Sequence, residues 1–137
     1  MFAIQNFLAL WSFIAFLVAV QGQPQLPSSI QCDNSKATPI KREDCRDALN
    51  QFPSESNVLF WNQYVHTRSC GSCKISITKP SRPNSKFYAA VKGDAVTAFQ
   101  QAIDKCGGKP SNTTIGNYVP ISVLVDYGDG NKCAGSS

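Results

Sequence analysis

The sequence of 137 residues predicts an α+β fold: a ferredoxin-like split β-α-β sandwich with two helices on one face of a four-stranded antiparallel sheet. Two segments have helical periodicity, and four short segments alternate in polarity or are rich in β-branched and aromatic residues. Their order is strand, helix, strand, strand, helix, strand. Six cysteines add the expectation that the domain is disulfide-stabilised.

The first 22 residues predict a secretory signal peptide, and residues 23–137 a single secreted domain. The first 22 contain no charged side chain, and residues 7–20 are apolar but shorter than the ~20 residues of a membrane-spanning helix. Val20 and Gly22 suit the small-residue positions before a cleavage site. The alternative is an uncleaved membrane anchor. The expected location is extracellular.

The first half of the mature chain supplies a helix between two strands. Residues 29–33 predict a short strand. Thr38 suits the N-cap of a helix, Pro39 suits its first position, and Pro53 marks its end. Residues 57–65 (NVLFWNQYV) predict the second strand because they are rich in β-branched and aromatic side chains.

The second half supplies the other two strands and a longer helix. Residues 73–78 alternate between apolar and polar side chains, as a strand with one buried face does. Asp94 suits a helix cap, and the apolar helical face that follows ends at Cys106, before Gly107. The other predicted segments are a turn at 66–69, loops at 79–86 and 107–118, and a final strand at 121–127.

An even number of cysteines in a small secreted domain predicts a disulfide framework with no free thiol. In the ferredoxin-like order, five of the six lie at one pole of the domain, whereas the last strand ends at the opposite pole near Tyr127. The tail from Tyr127 to Cys133 can reach roughly 20 Å, so it is long enough to fold back. We expect Cys45 to bond to Cys70 or Cys73, and Cys106 to bond to a partner at its own pole. The six are Cys32, Cys45, Cys70, Cys73, Cys106 and Cys133.

Two alternatives use the same cysteines for chemistry. His66, Cys70 and Cys73 have zinc-ligand spacing, with Cys106 or Cys133 as a fourth ligand. Cys70 and Cys73 also form a C-x-x-C pair of the redox type, but they precede a predicted strand, not a helix. An oxidising compartment favours disulfides over both alternatives. We therefore expect no metal and no cofactor.

The sequence predicts that the protein is not an enzyme. Nucleophilic catalysis by a Ser or Cys triad needs a base, and the one histidine, His66, lies on a predicted turn. The carboxylates have structural explanations: helix capping for those near the first helix, and solvated turns for Asp126 and Asp129. The acids near the first helix are Asp33, Glu43, Asp44 and Asp47.

A basic run without acids is the best candidate for a binding surface. Residues 68–92 carry a charge of +6, whereas the whole chain carries +4, so the rest is slightly acidic. Phe87 and Tyr88 lie inside the run. Such a surface suits phosphates, sulfated glycans or anionic lipid; the alternative is a solvated loop and strand face. Its cations are Arg68, Lys74, Lys79, Arg82, Lys86 and Lys92.

Two further motifs agree with secretion. Asn112-Thr113-Thr114 is a glycosylation sequon in a polar stretch, which makes Asn112 the candidate glycosylation site; the alternative is an unoccupied sequon. Lys41-Arg42 is a dibasic pair of the kind that maturation proteases cleave, and the alternative is two exposed cations at a helix start.

Three motifs carry a resemblance to a known group of proteins. They are TP-x4-DC-x2-AL (Thr38 to Leu49), SCKISI (Ser72 to Ile77) and the helix KGDAVTAFQQAI, followed by a last cysteine in a glycine-rich tail. The chain from Cys32 to Cys133 thereby resembles fungal small secreted cysteine-rich proteins related to the smut-fungus killer toxins and the necrosis-inducing effector domain. The resemblance implies a compact, non-enzymatic α/β sandwich that acts on another organism or on the fungal surface.

These observations predict a secreted effector or killer-toxin-like antimicrobial protein that binds a target on or in another cell. The target is a protein, a glycan or a membrane, with no nucleic acid involved, and the protein is a monomer. The alternatives are a secreted binding module, such as a protease inhibitor or wall-glycan binder, and a carboxylate-based secreted hydrolase.

Overall fold

The structure, a computed structural model, describes residues 27–35, 37–116 and 119–133. The predicted signal peptide, residues 1–22, lies outside the described residues. Along the described chain the elements are β1 (Pro27–Cys32), α1 (Arg42–Asn50), β2 (Ser54–Glu55), β3 (Val58–Trp61), β4 (Thr67–Cys70), β5 (Cys73–Thr78), β6 (Tyr88–Val91), α2 (Lys92–Cys106), β7 (Ser111–Ile115) and β8 (Ile121–Tyr127).

The larger sheet has five antiparallel strands in the order β1-β7-β8-β5-β4. Alternation along each strand turns one face inward; on β5, for example, Ile75 and Ile77 are buried while Lys74 and Ser76 are partly exposed. α1 contacts β4 and β5, and α2 contacts β1, β7 and β8. Both helices therefore cover the inner face of this sheet.

The smaller sheet has three antiparallel strands in the order β2-β3-β6. Its inner face is formed by Leu59, Trp61 and Tyr88, which are buried in the same apolar core as the helices and the larger sheet. The rings of Trp61 and Tyr88, which are paired across β3 and β6, stack with their centroids 5.7 Å apart. The two sheets thus share one core.

The α+β class and the two helices are confirmed, but the four-stranded ferredoxin-like sheet is wrong, because eight strands in two sheets are present among the described residues. Of the four extra strands, β4 lies on the predicted turn and β7 in a predicted loop, whereas β2 and β6 lie in segments to which the sequence pattern assigns no element. β7 lies inside the predicted 107–118 loop, where Ser111 and Thr113 are buried in spite of their hydroxyls. Their buried oxygens have no hydrogen-bond partner within the described residues. Because these inward-facing side chains are polar, the sequence does not show the alternation that would predict a strand.

Both helices begin at different residues from those predicted. α1 begins at Arg42, not at Pro39, because the preceding segment is held against the end of α2 by a hydrogen bond from Ile40 N to Gly108 O (2.8 Å). α2 begins at Lys92, which places Asp94 in its first turn and not at the cap. The predicted stop is confirmed: Gly107 has the left-handed conformation (φ 61°) that ends a helix.

Three disulfides join the elements at one end of the larger sheet: Cys32–Cys106, Cys45–Cys73 and Cys70–Cys133, with Cα–Cα distances of 5.4, 5.0 and 4.7 Å. The expected bond from Cys45 into the Cys70/Cys73 pair is confirmed, and within the described residues no cysteine is left free.

Cys133 lies at the same end as the other cysteines because the last strand itself ends there, so the prediction that this strand ends at the opposite pole is wrong. β8 runs antiparallel to β5, and its last residue, Tyr127, pairs with Cys73. The tail then pairs with the turn between β4 and β5 through Gly128 N to Ser72 O (2.9 Å) and Gly130 N to Gly71 O (3.0 Å). The chain reaches Cys70 without crossing the sheet.

Candidate functional site

The fold separates the six cations of the basic run, and two of them are engaged away from the others. Arg68 faces the core side of β4, where its Nε donates to Gln51 O (3.2 Å) and its guanidinium lies 5.6 Å from the centroid of the Phe52 ring. Lys74 lies on the outer face of the larger sheet and pairs with Asp126 at 3.2 Å. Both cations are therefore engaged by neighbouring groups of the fold.

The other four cations gather around strand β6. Lys79 Nζ donates to Ala89 O (3.2 Å), which places this ammonium group on the edge of β6. Lys86 precedes the strand and Lys92 follows it. Within the described part of the chain, the side chains of Arg82, Lys86 and Lys92 form no hydrogen bond or ion pair. We call these three the free cations.

The outer face of the smaller sheet is apolar. Alternation turns Tyr88 and Ala90 of β6 inward and the residues between them outward, and the register places Phe60 opposite Ala89 and Val58 opposite Val91. Phe87 is 78% exposed, Val91 48% and Phe60 41%. We call this surface the Phe87 face; it consists of Val58, Phe60, Phe87, Ala89 and Val91.

Hydrogen bonds within the loop before β6 hold Phe87 outward. Arg82 N donates to Lys79 O (2.9 Å), and Tyr88 OH donates to Pro83 O (2.9 Å). Ser85 Oγ donates to Phe87 O (2.8 Å), which fixes the backbone beside the exposed ring. The exposure of Phe87 is therefore set by its loop and by the alternation of β6.

A cavity of about 210 Å³ lies between the two sheets, beneath this loop. Its floor includes the stacked Trp61 and Tyr88, and His66 lies at its side with Nδ1 3.1 Å from Gln63 O. Within the described residues, no acidic side chain lines it. The residues are Trp61, Asn62, Gln63, His66, Ile77, Thr78, Lys79, Pro80, Pro83 and Tyr88. The cavity adds positive and apolar character next to β6.

The outer face of the larger sheet is mostly polar, with Leu124 as an exposed apolar side chain, and so differs from the Phe87 face. Ser122 Oγ donates to Asn112 Oδ1 (2.6 Å), and the hydroxyls of Thr67 and Ser76 lie 2.8 Å apart. Asn112, the predicted glycosylation site, is exposed on this face. A glycan at Asn112 would therefore project from the larger sheet, away from the smaller sheet's outer face.

At the cysteine end, Asp44 does not cap its own helix, as the sequence suggested, but fixes the turn between β4 and β5. Its Oδ2 accepts from Ser72 N (2.7 Å) and Ser72 Oγ (2.6 Å). The hydroxyl hydrogen bond, followed by the backbone one, lowers the pKa of Asp44. Nearby, the Asn131 backbone N–H and the hydroxyl of Ser69 lower the pKa of the exposed Asp129. Both carboxylates therefore order backbone turns.

The zinc and redox alternatives both need free thiols, and the cysteines of the described residues are all in disulfides. A ligand cluster of Asp44, Cys70 and Cys133 is close enough for a metal ion, but its two sulfurs are bonded to each other. Cys70 and Cys73 are bonded to different partners, so they do not form a C-x-x-C disulfide. A thiolate is the ligand and nucleophile in both kinds of site. Neither alternative fits this arrangement.

The site was partly found from the sequence. Residues 68–92 contain the free cations and Phe87, but the exposure of Phe60 and Val91 was not predicted. The run NVLFWNQYV predicts one strand without indicating its apolar outer face, and no strand is predicted at Val91. None of the helices in the described ranges is long and apolar enough to cross a bilayer.

Comparisons of the chain with protein-family models, curated proteins and solved structures gave no match.

Proposed function

We propose that this protein is a secreted effector or killer-toxin-like antimicrobial protein that acts by binding a target on another cell. The observation that carries the proposal is the grouping of Arg82, Lys86 and Lys92 around β6, free of ion pairs, beside exposed aromatic and aliphatic side chains. Such a surface attracts an anionic partner, since fixed charge of one sign raises the rate and affinity of encounter with the opposite sign.

The charge distribution supports binding through this side of the molecule. Elsewhere in the basic run, Lys74 forms an ion pair with Asp126, and the guanidinium of Arg68 packs against the Phe52 ring. The disulfides lie at the cysteine end of the larger sheet and hold the scaffold. The resemblance to small secreted cysteine-rich proteins agrees with a role in which a rigid scaffold presents a binding surface and performs no chemistry.

The test compares two charge reversals of equal size. Arg82→Glu/Lys86→Glu/Lys92→Glu removes the free cations, and Lys105→Glu/Lys109→Glu/Lys132→Glu makes the same change in net charge elsewhere. The oxidised, fluorescently labelled proteins are incubated with a panel of whole microbial and plant cells, and retention is measured by cell sedimentation at increasing salt.

We expect the parent and the second variant to be retained by at least one cell type and released by salt, because the Debye length is about 8 Å at 0.15 M and shorter above it. The first variant should lose retention about 10-fold or more. Equal loss in both variants would show that only net charge matters. Retention by no cell type would contradict the proposed function.

A further inference from the structure

The Phe87 face and the free cations together form one amphipathic surface. The apolar side chains of β6 point outward between Lys86 at the start of the strand and Lys92 just after its end. Phe60 lies on the neighbouring strand, diagonal to Phe87 in the register. Along the chain, Lys86 and Lys92 therefore flank the outward-facing apolar residues of β6; Lys86 is exposed and Lys92 is partly exposed.

We propose that this surface docks onto an anionic lipid bilayer, with Phe87 and Phe60 inserted at the level of the headgroups and the free cations paired with lipid phosphates and carboxylates. This inference rests on the proposed function and names the partner. Proteins that lie on membranes combine a buried apolar face with basic residues, since either attraction alone gives weak, reversible binding.

Charge complementarity favours a lipid surface over a second copy of the chain. Two copies that meet through this face would bring their free cations together, and like charges close to one another oppose association. Among the described residues, the acid on this face is Glu55 of the edge strand β2; it pairs with Val58 at the margin of the Phe87 face, and strand β3 separates it from β6. An anionic bilayer matches both the apolar residues and the flanking cations.

The high exposure of Phe87 also distinguishes it from an apolar residue that is only incompletely buried. Phe87 is the second most exposed large hydrophobic side chain of the described residues, at 78%, and the loop hydrogen bonds hold it outward. Because the backbone beside Phe87 is already fixed, insertion of its ring requires little rearrangement of the loop. This arrangement favours a membrane contact that needs no unfolding.

The experiment measures co-sedimentation of the oxidised protein with two kinds of vesicle, phosphatidylcholine alone and phosphatidylcholine with phosphatidylserine. We expect binding to the anionic vesicles only, with release by salt. Phe60→Ser/Phe87→Ser should reduce binding about 10-fold or more, because burial of one Phe side chain contributes roughly 1.5–3 kcal/mol. Each free cation changed to Gln should reduce it about 5-fold, equivalent to roughly 1 kcal/mol.

Leu124→Ser is the matched apolar control, because Leu124 is 41% exposed, as Phe60 is, but lies on the outer face of the larger sheet. It should bind as the parent does, and near-native circular dichroism confirms that each variant is folded. Equal losses in Leu124→Ser and in the Phe variant would overturn the assignment of the face. A dimer in solution that Phe87→Ser dissociates would assign the face to a second copy instead.

The outcomes separate this inference from the proposed function. If neither vesicle binds while whole cells still retain the protein through the free cations, the lipid inference is wrong and the proposed function stands. If cells retain nothing and vesicles bind nothing, both are wrong. Binding to both kinds of vesicle alike would contradict the role given to the cations.

Discussion

The two sheets of this protein differ in what they hold and in what they expose. The larger sheet carries both helices on its inner face, has the three disulfides at one end, and exposes hydroxyls, an amide and an internal ion pair on its outer face. The smaller sheet exposes Phe60 and Val91 and, in the part of the chain that the structure describes, contains no disulfide.

The difference indicates a division of labour within a small domain. A chain of this size gains limited stability from its core, so covalent bonds concentrate on the part that must stay rigid. Exposed apolar side chains next to cations are typical of a surface that meets a partner. The larger sheet is the scaffold, and the smaller sheet presents the proposed binding surface.

The largest effect should come from the bond that fixes α1 to the scaffold. Cys45 and Cys73 are both fully buried and close a loop with a sequence separation of 28. Cys45→Ala/Cys73→Ala should lower the free energy of unfolding by about 3.5 kcal/mol, because the unfolded chain regains the entropy of that loop. Urea denaturation measures the change. A loss below about 1 kcal/mol would contradict the scaffold role.

The next largest effect should separate the two faces of β3. Leu59 is fully buried in the shared core, whereas its neighbour Phe60 is 41% exposed. Leu59→Ala should cost about 3 kcal/mol through lost burial and a cavity, and Phe60→Ala less than about 0.5 kcal/mol. Thermal and urea unfolding of the two variants check this. Equal losses would show that Phe60 is needed for folding, not for binding.

A smaller, pH-dependent effect should arise at Asp44. Its pKa is lowered in the folded state by the hydrogen bonds from Ser72, so its contribution is present above the ordinary carboxyl pKa of about 3.9 and is lost as the pH falls through the folded value. At pH 7, Asp44→Asn should lower the free energy of unfolding by about 2 kcal/mol. Below pH 4, the stability of this variant should fall less steeply than that of the parent.

The control for Asp44 is another carboxylate, Asp104, which pairs with Arg42 at the surface, where 45% of the Arg42 side chain and 61% of the Asp104 side chain are exposed. Asp104→Asn should cost less than about 1 kcal/mol, as exposed ion pairs do. Urea unfolding from pH 2 to 7 compares the two. If the free energies of unfolding of the parent and of Asp44→Asn changed with pH in parallel, the stabilising role assigned to the Asp44 carboxylate would be wrong.

The smallest effect on binding should come from Asn112. The sequon lies on the outer face of the larger sheet, so a glycan there leaves the Phe87 face uncovered. Protein from a glycosylating secretory host should lose mass on enzymatic deglycosylation, and Asn112→Gln should remove that loss without changing cell retention. An unglycosylated Asn112 would contradict the prediction, and stronger retention after deglycosylation would contradict the separation of the faces.

The sequence predicted those parts of the fold in which side-chain pattern and environment agree. β5 and β8 alternate cleanly, and α2 ends at a glycine, so their positions were nearly right. The sequence pattern does not predict β7, because Ser111 and Thr113 face the core, and it predicts a turn in place of β4, because Arg68 faces inward against an aromatic ring. Such positions are set by tertiary neighbours that no local pattern encodes.

The candidate site was likewise predictable only where the sequence pattern alone determines it. The run of positive charge is visible in the sequence, but which cations remain free depends on Asp126 and on the Phe52 ring, which reach Lys74 and Arg68 only after folding. The exposure of Phe60 and Val91 depends on the pairing of β3 with β6, two segments separated by the entire β4–β5 hairpin. Charge was predictable from composition, and its arrangement was not.

The most direct test of the account maps which face meets the bilayer. Isotope-labelled protein is mixed with phosphatidylserine-containing vesicles that carry a spin-labelled lipid, and the broadening of each backbone amide signal is measured by NMR. The account predicts that broadening is strongest at residues 58–60 and 86–92 and weak at residues 112–114 and 122–126. Strongest broadening on the outer face of the larger sheet would contradict the account.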